Sequence, residues 1–181
     1  MTPTPRLQRT AFPFLLAIMW ASAAIGQAPT SSPSPPRAIL GFEVGADRTL
    51  ADWKQITGYF ATLAASSPAV IVDTLGTTTN GQPFIVATVS TPENIARREA
   101  IRTAQRLLAD PRLLSSEQER RLVAEQPAVI LISCNIHATE IASSQMVMEL
   151  AHRLATNDTL QSYLKHTVVL LIPSMNLSGL R

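Results

Sequence analysis

Two apolar runs separated by a helical stretch constrain this chain more than any other feature. "AVILIS", Ala128 to Ser133, is a continuous apolar run dense in β-branched residues, the pattern of a central strand covered on both faces. "TVVLLIP", Thr167 to Pro173, is a second such run, and a helix from about Thr139 to Ala155 lies between them. Upstream, "AVIVDTLGTTTNGQPFIVATVS" places two β-rich runs around Asn80-Gly81, the dipeptide that most readily supplies the positive φ angles of a tight hairpin. Strand–helix–strand order with a hairpin at one side predicts an α/β fold, a three-layer α/β/α arrangement with a mixed β-sheet. There is no internal repeat and no glycine-rich phosphate loop.

Helix signals fill the remaining segments. Leu50, Trp53, Ile56, Phe60 and Leu63 fall at helical spacing, with Thr49 as the expected N-cap, Asp52 three residues on, and a stop before Pro68. Thr91-Pro92 opens a second helix, threonine capping and proline in the first turn, expected to run to about Leu108 and stop before Pro111. Ser115 with Gln118 marks a third, short helix through Val123.

The N-terminus has a different character. Arg6 and Arg9 precede an apolar run from Ala11 to Ile25 and then small residues before Gln27, the order of a secretory signal. Cleavage fits after Ala23 or after Gly26. The run is short for a membrane-spanning helix, which needs about 20 apolar residues, and it contains Pro13. Residues 1–26 are therefore read as a signal peptide, residues 27–38 as an extended Pro/Ser-rich linker, and residues 39–181 as the folded part. The expected location is periplasmic or extracellular, with no stable membrane anchor after cleavage. Removing Arg6 and Arg9 from the 15 basic residues leaves 13, equal to the 13 acidic ones, so the mature charge is near zero. Nucleic-acid binding, which needs clustered cations, is not expected. Cys134 is the only cysteine, so no internal disulfide is available and the core must stabilise the domain. Its place in an apolar strand favours an inert thiol over a nucleophile beside His137, because burial raises a thiol pKa.

The chemistry gathers where the first apolar strand ends. In α/β sheets ligand sites lie beyond the C-terminal ends of strands, and "NIHATEIASSQ" puts His137 and Glu140 there. A spacing of three on a tight turn brings both side chains to nearly the same face. An imidazole nitrogen and a carboxylate oxygen are both good zinc ligands. The pair equally suits a polar turn residue followed by an anion at a helix N-terminus. The small residues Ala138, Ala142, Ser143 and Ser144 allow close approach and lend weight to the metal reading.

"NIHATEIASSQ" resembles the first metal-binding motif of the zinc metallocarboxypeptidases, the carboxypeptidase A-like peptidases, in which Asn/Gly-X-His-X-X-Glu follows a central strand. "LGTTTNGQPFIVATVS" is similar to that family's early hairpin, "LLIPSMN" to its next core strand, and "GFEVGADRTLADW" to the opening of a bacterial secreted subgroup, so the resemblance covers Gly41 to Asn176. It implies a zinc-dependent metallocarboxypeptidase: one Zn2+ ion held by His137 and Glu140, and a peptide or protein substrate. In the family, a third histidine ligand, a general-base glutamate and the groups gripping the terminal carboxylate come later. The expectation is thus the N-terminal part of the catalytic domain, truncated before the later strands, with an incomplete zinc site and no catalytic residue assigned. Sheet edges and apolar helix faces are expected to be left uncovered.

No local histidine completes the ligand set. His152 lies twelve residues beyond Glu140 on the expected helix, about 18 Å along its axis. His166 opens the second strand, at the opposite end of the sheet if the two strands are parallel. Many family members carry an arginine just before the glutamate ligand, where this chain has Thr139. The loop after the second strand is usually Asn-Pro-Asp-Gly, where this chain has Asn176-Leu177-Ser178-Gly179. Two other functions stay open: a zinc amidohydrolase of the aspartoacylase type, which has a related fold and the same pair, and a secreted binding module without catalysis.

Overall fold

The computed structural model describes residues 32–177. The segment expected to be a signal peptide, the first part of the expected linker, and residues 178–181 lie outside the described residues. The elements run α1 (Pro36–Leu40), α2 (Trp53–Ser66), β1 (Val70–Thr77), β2 (Pro83–Val89), α3 (Pro92–Ala96), α4 (Arg98–Ala109), α5 (Ser116–Glu125), β3 (Ala128–Ser133), α6 (Ile141–Thr156), α7 (Asp158–Leu164) and β4 (Thr167–Ile172). Among the described residues the first helix begins at Pro36: Pro36 and Leu40 are buried, and Gly41 closes α1 at φ 80°, a left-handed cap that suits glycine.

Local chemistry explains where the helices begin. The first long helix is capped by Asp52, not Thr49. The Asp52 carboxylate accepts from the Gln55 backbone N–H at 2.7 Å, and the Gln55 side chain accepts from the Asp52 N–H at 3.0 Å, a reciprocal capping box. Leu50 therefore precedes α2 and is exposed. Replacing Asp52 with alanine removes this cap and should lower stability by about 1 kcal/mol in urea denaturation; an unchanged midpoint would show that α2 is fixed by its packing alone. Ser115 and Gln118 form the second capping box as expected. The helix after Thr91 is interrupted at Arg97, whose φ of −101° and ψ of 17° leave helical geometry and divide it into α3 and α4.

Among the described residues the strands form one sheet in the order β1-β2-β4-β3. The β1–β2 and β2–β4 pairs are antiparallel, and β3–β4 is parallel, so the sheet is mixed as expected. Only Gly81 of the hairpin dipeptide takes a positive φ, 72°. The Gly81 N–H donates to the Thr78 carbonyl and the Thr78 N–H to the Gln82 carbonyl, giving a three-residue loop closed by a glycine bulge.

Strand alternation sorts the sheet into two faces. Ile85, Ala87 and Val89 of β2 and Val169 and Leu171 of β4 pack into the main core with Ile56, Phe60 and Leu63 of α2 and Val147, Met148 and Ala151 of α6. On the opposite face, Val86, Thr88, Val168 and Leu170 line a cleft of about 470 Å³ beneath α3 and α4. The Arg98–Asp73 ion pair, 3.2 Å, bridges α4 to β1 across its rim. Helices thus flank both faces.

One expectation fails. β3 was read as a central strand covered on both faces, yet it stands at the end of the sheet, and Val129, Ile130 and Leu131 are 38%, 48% and 59% exposed. A continuous apolar run reports the surroundings a strand suits, and those must come from other segments. None of the described elements packs along this edge.

Candidate metal centre

The site grows from the C-terminal end of β3. The parallel register with β4 ends at Ser133↔Ile172, but the backbone pairing continues beyond it: the Met175 N–H donates to the Cys134 carbonyl at 2.8 Å, and the Asn176 N–H to the Asn135 carbonyl at 3.0 Å. Asn135 then turns the chain with φ 52°, a left-handed conformation that asparagine tolerates better than most residues. A turn follows, closed by the Glu140 N–H donating to the His137 carbonyl at 2.9 Å, and α6 starts at Ile141, two residues later than expected.

This turn brings the two expected ligands together. His137 Nδ1 lies 2.7 Å from Glu140 Oε1, and the His137 backbone N–H donates to Glu140 Oε2 at 3.1 Å. Both side chains are exposed, 74% and 46%. Because Glu140 spends its carboxylate on His137, it caps α6 without a side-chain bond to the helix backbone. The hydrogen bond from the imidazole, then that from the His137 N–H, hold the Glu140 carboxyl below its ordinary value of 4.5. A depressed folded-state value means that the contribution of this anion to holding the turn is present above pH 4.5 and is lost as pH falls through the lowered value. An ionised carboxylate oxygen at 2.7 Å requires a proton on Nδ1, since two acceptors would repel.

The neighbours support the turn. Ser143 Oγ accepts from the Asn135 N–H at 2.9 Å and donates to the Glu140 carbonyl at 2.8 Å. Ser144 Oγ donates to the Pro173 carbonyl at 2.7 Å, fixing α6 to the end of β4. Cys134 is buried, and burial pushes its thiol up from its ordinary value, as expected of an inert core residue. Thr139 is exposed on the turn.

The other histidines lie apart from the pair. The His152 ring, on α6, meets the Pro33 carbonyl at 3.1 Å. His166 precedes β4, its carbonyl accepting from the Ala128 N–H at the opposite end of β3 from His137. Among the described residues no group of three His, Cys, Asp or Glu side chains converges. The donor set therefore fits zinc in kind but supplies two ligands where catalytic zinc sites commonly use three. The contacts of Asn135 were not anticipated; the alternation of asparagine with glycine in the resembled motif was the one signal of a left-handed backbone there.

The zinc carboxypeptidase family profile matches residues 56–181, and the chain belongs to that family. A metallo-carboxypeptidase from Burkholderia cenocepacia superposes with a TM-score of 0.50 at 17% identity, covering 72% of this chain and 28% of that one. The carboxypeptidase A from Helicoverpa armigera superposes with a TM-score of 0.51 at 15% identity, covering 80% of this chain and 31% of that one. At such identities the likeness is one of fold, and the chain spans under a third of either structure's length. No curated protein matches significantly.

Proposed function

We propose that this chain carries the first two ligands of a zinc metallocarboxypeptidase site, His137 and Glu140, and that its 181 residues alone hydrolyse no peptide. The observation that carries the reading is the meeting of the two side chains, Nδ1 to Oε1 at 2.7 Å, on an exposed turn beyond the end of a parallel strand. Family membership supports the metal, and the family's activity supports a peptide or protein substrate.

Zinc, when bound, supplies a Lewis acid that polarises a carbonyl and lowers the pKa of its water to about 7. This chain's residues present an imidazole nitrogen and a carboxylate oxygen. The His137 N–H fixes the second carboxylate oxygen, and Ser143 fixes the turn through the Glu140 carbonyl. Two ligands hold the ion weakly, and no described side chain is assigned as general base. The same reading takes residues 1–26 as an export signal; the mass of the N-terminus after expression with export machinery checks it. Among the described residues no helix is long and apolar enough to cross a membrane.

The test is zinc stoichiometry and affinity of the purified chain beside His137→Ala and Glu140→Ala. Weak binding abolished by both substitutions, with no peptide turnover, is the expected result. Binding indifferent to both would remove the pair from the metal site. Turnover that a chelator stops would overturn the inactivity of the chain alone.

A further inference from the structure

We infer that Asn135 is a positioning residue that locks the His137–Glu140 turn to the segment following β4; the inference rests on the zinc reading of that turn. Two demands meet at this position. The backbone must enter the left-handed region, φ 52°, which restricts the residue to glycine or, less readily, asparagine or aspartate. The side chain must also donate: Asn135 Nδ2 gives hydrogen bonds to Ser174 Oγ and to the Asn176 carbonyl, each 2.8 Å. Glycine meets the first demand only, aspartate lacks the amide hydrogens, and asparagine meets both.

The contacts of Asn135 radiate in two directions. Toward β4, its amide and carbonyl hold Ser174 and Asn176, and Asn135 itself is 2% exposed, so these bonds are shielded from water. Toward the turn, its backbone N–H is taken by Ser143 Oγ, whose own hydrogen goes to the Glu140 carbonyl. A continuous hydrogen-bonded path therefore runs from the segment after β4, through Asn135 and Ser143, to the residue carrying the carboxylate ligand. Partners that orient metal ligands in this way are worth roughly 10–100-fold in metal affinity.

The experiment compares the full chain with Asn135→Gly, which keeps the backbone and deletes the amide, and with Ser174→Ala, which deletes one acceptor without touching the turn. Amide hydrogen exchange is read at Met175, Asn176 and Glu140, and zinc affinity at a temperature where every variant is folded. Asn135→Gly should speed exchange at these amides and weaken His137-dependent zinc binding about 10–100-fold, with Ser174→Ala changing both in the same direction by less. A folded Asn135→Gly chain with unchanged exchange, or with unchanged zinc affinity, overturns the inference. If Asn135→Gly does not fold, Ser174→Ala decides by the same two readouts. Zinc binding that survives His137→Ala sinks the zinc reading by itself; the locking of the turn then stands or falls on whether Glu140 exchange still accelerates.

Discussion

Phe60→Ala should destabilise the chain by about 3–5 kcal/mol, the range for deleting a fully buried aromatic side chain. Phe60 is 0% exposed at the centre of α2 and meets Tyr59 edge-on, ring centroids 5.9 Å apart and planes at 73°. It belongs to a core that also draws Val89 and Leu171 from the sheet and Met148 from α6. Truncation leaves a cavity, and moving α2 to close it would strain the Trp53 Nε1 bond to the Pro83 carbonyl, 3.0 Å, which ties the helix to β2. Against a total of about 5–15 kcal/mol for an ordinary domain, such a loss unfolds a large fraction of molecules near physiological temperature. Chemical denaturation at equilibrium measures it; a loss under about 2 kcal/mol would mean that the α2 layer relaxes into the space.

Leu131→Lys should sharply reduce self-association while leaving stability within about 0.5 kcal/mol of the parent. Leu131 is 59% exposed in the middle of β3, beside Ile130 at 48%, on a strand whose outer edge pairs with no described strand. An apolar strand with unpaired N–H and C=O groups is a template for pairing with another chain, and a lysine on such an edge is the device proteins use to prevent it. Little burial is lost because little is present. Light scattering after size-exclusion chromatography across a concentration series provides the measurement. Equal aggregation of parent and variant would locate the sticky surface elsewhere, with the cleft beneath α4 the next place to look.

The sheet was legible where local pattern and tertiary role agree. The β-branched run at Ala128–Ser133 is a strand with the bounds expected, the run from Thr167 is one that ends at Ile172, one residue short of the expected Pro173, and their parallel pairing follows from the helix between them. The Thr49 cap failed because Asp52 satisfies two local patterns at once, three residues after Thr49 and three before Gln55. Packing decided between them, since Trp53 is buried and Leu50 is not. The exposed edge of β3 agrees with the expectation of uncovered sheet edges; what the apolar run could not show is that neither face of that strand would be fully covered among the described residues, because composition records the environment a strand suits and not the neighbours that supply it. At the site, the spacing of His137 and Glu140 was enough to bring them together. Asn135 was harder, because its conformation depends on Ser174 and Asn176, some forty residues away in sequence.

The β2–β4 pairing also bears on how the chain reaches this structure. Ala87 pairs with Leu171, and the Ser90 hydroxyl donates to the carbonyls of Leu164 and Thr167. The β1–β2 hairpin can form from neighbouring residues soon after it leaves the ribosome, but its inner edge then waits for a partner some eighty residues further on. During that interval the side chains of Ile85, Ala87 and Val89 have only part of their eventual surroundings. Closing so long a loop before its contacts reward it is slow, so the apolar face of the hairpin is the surface left partly uncovered longest as this part of the chain is made.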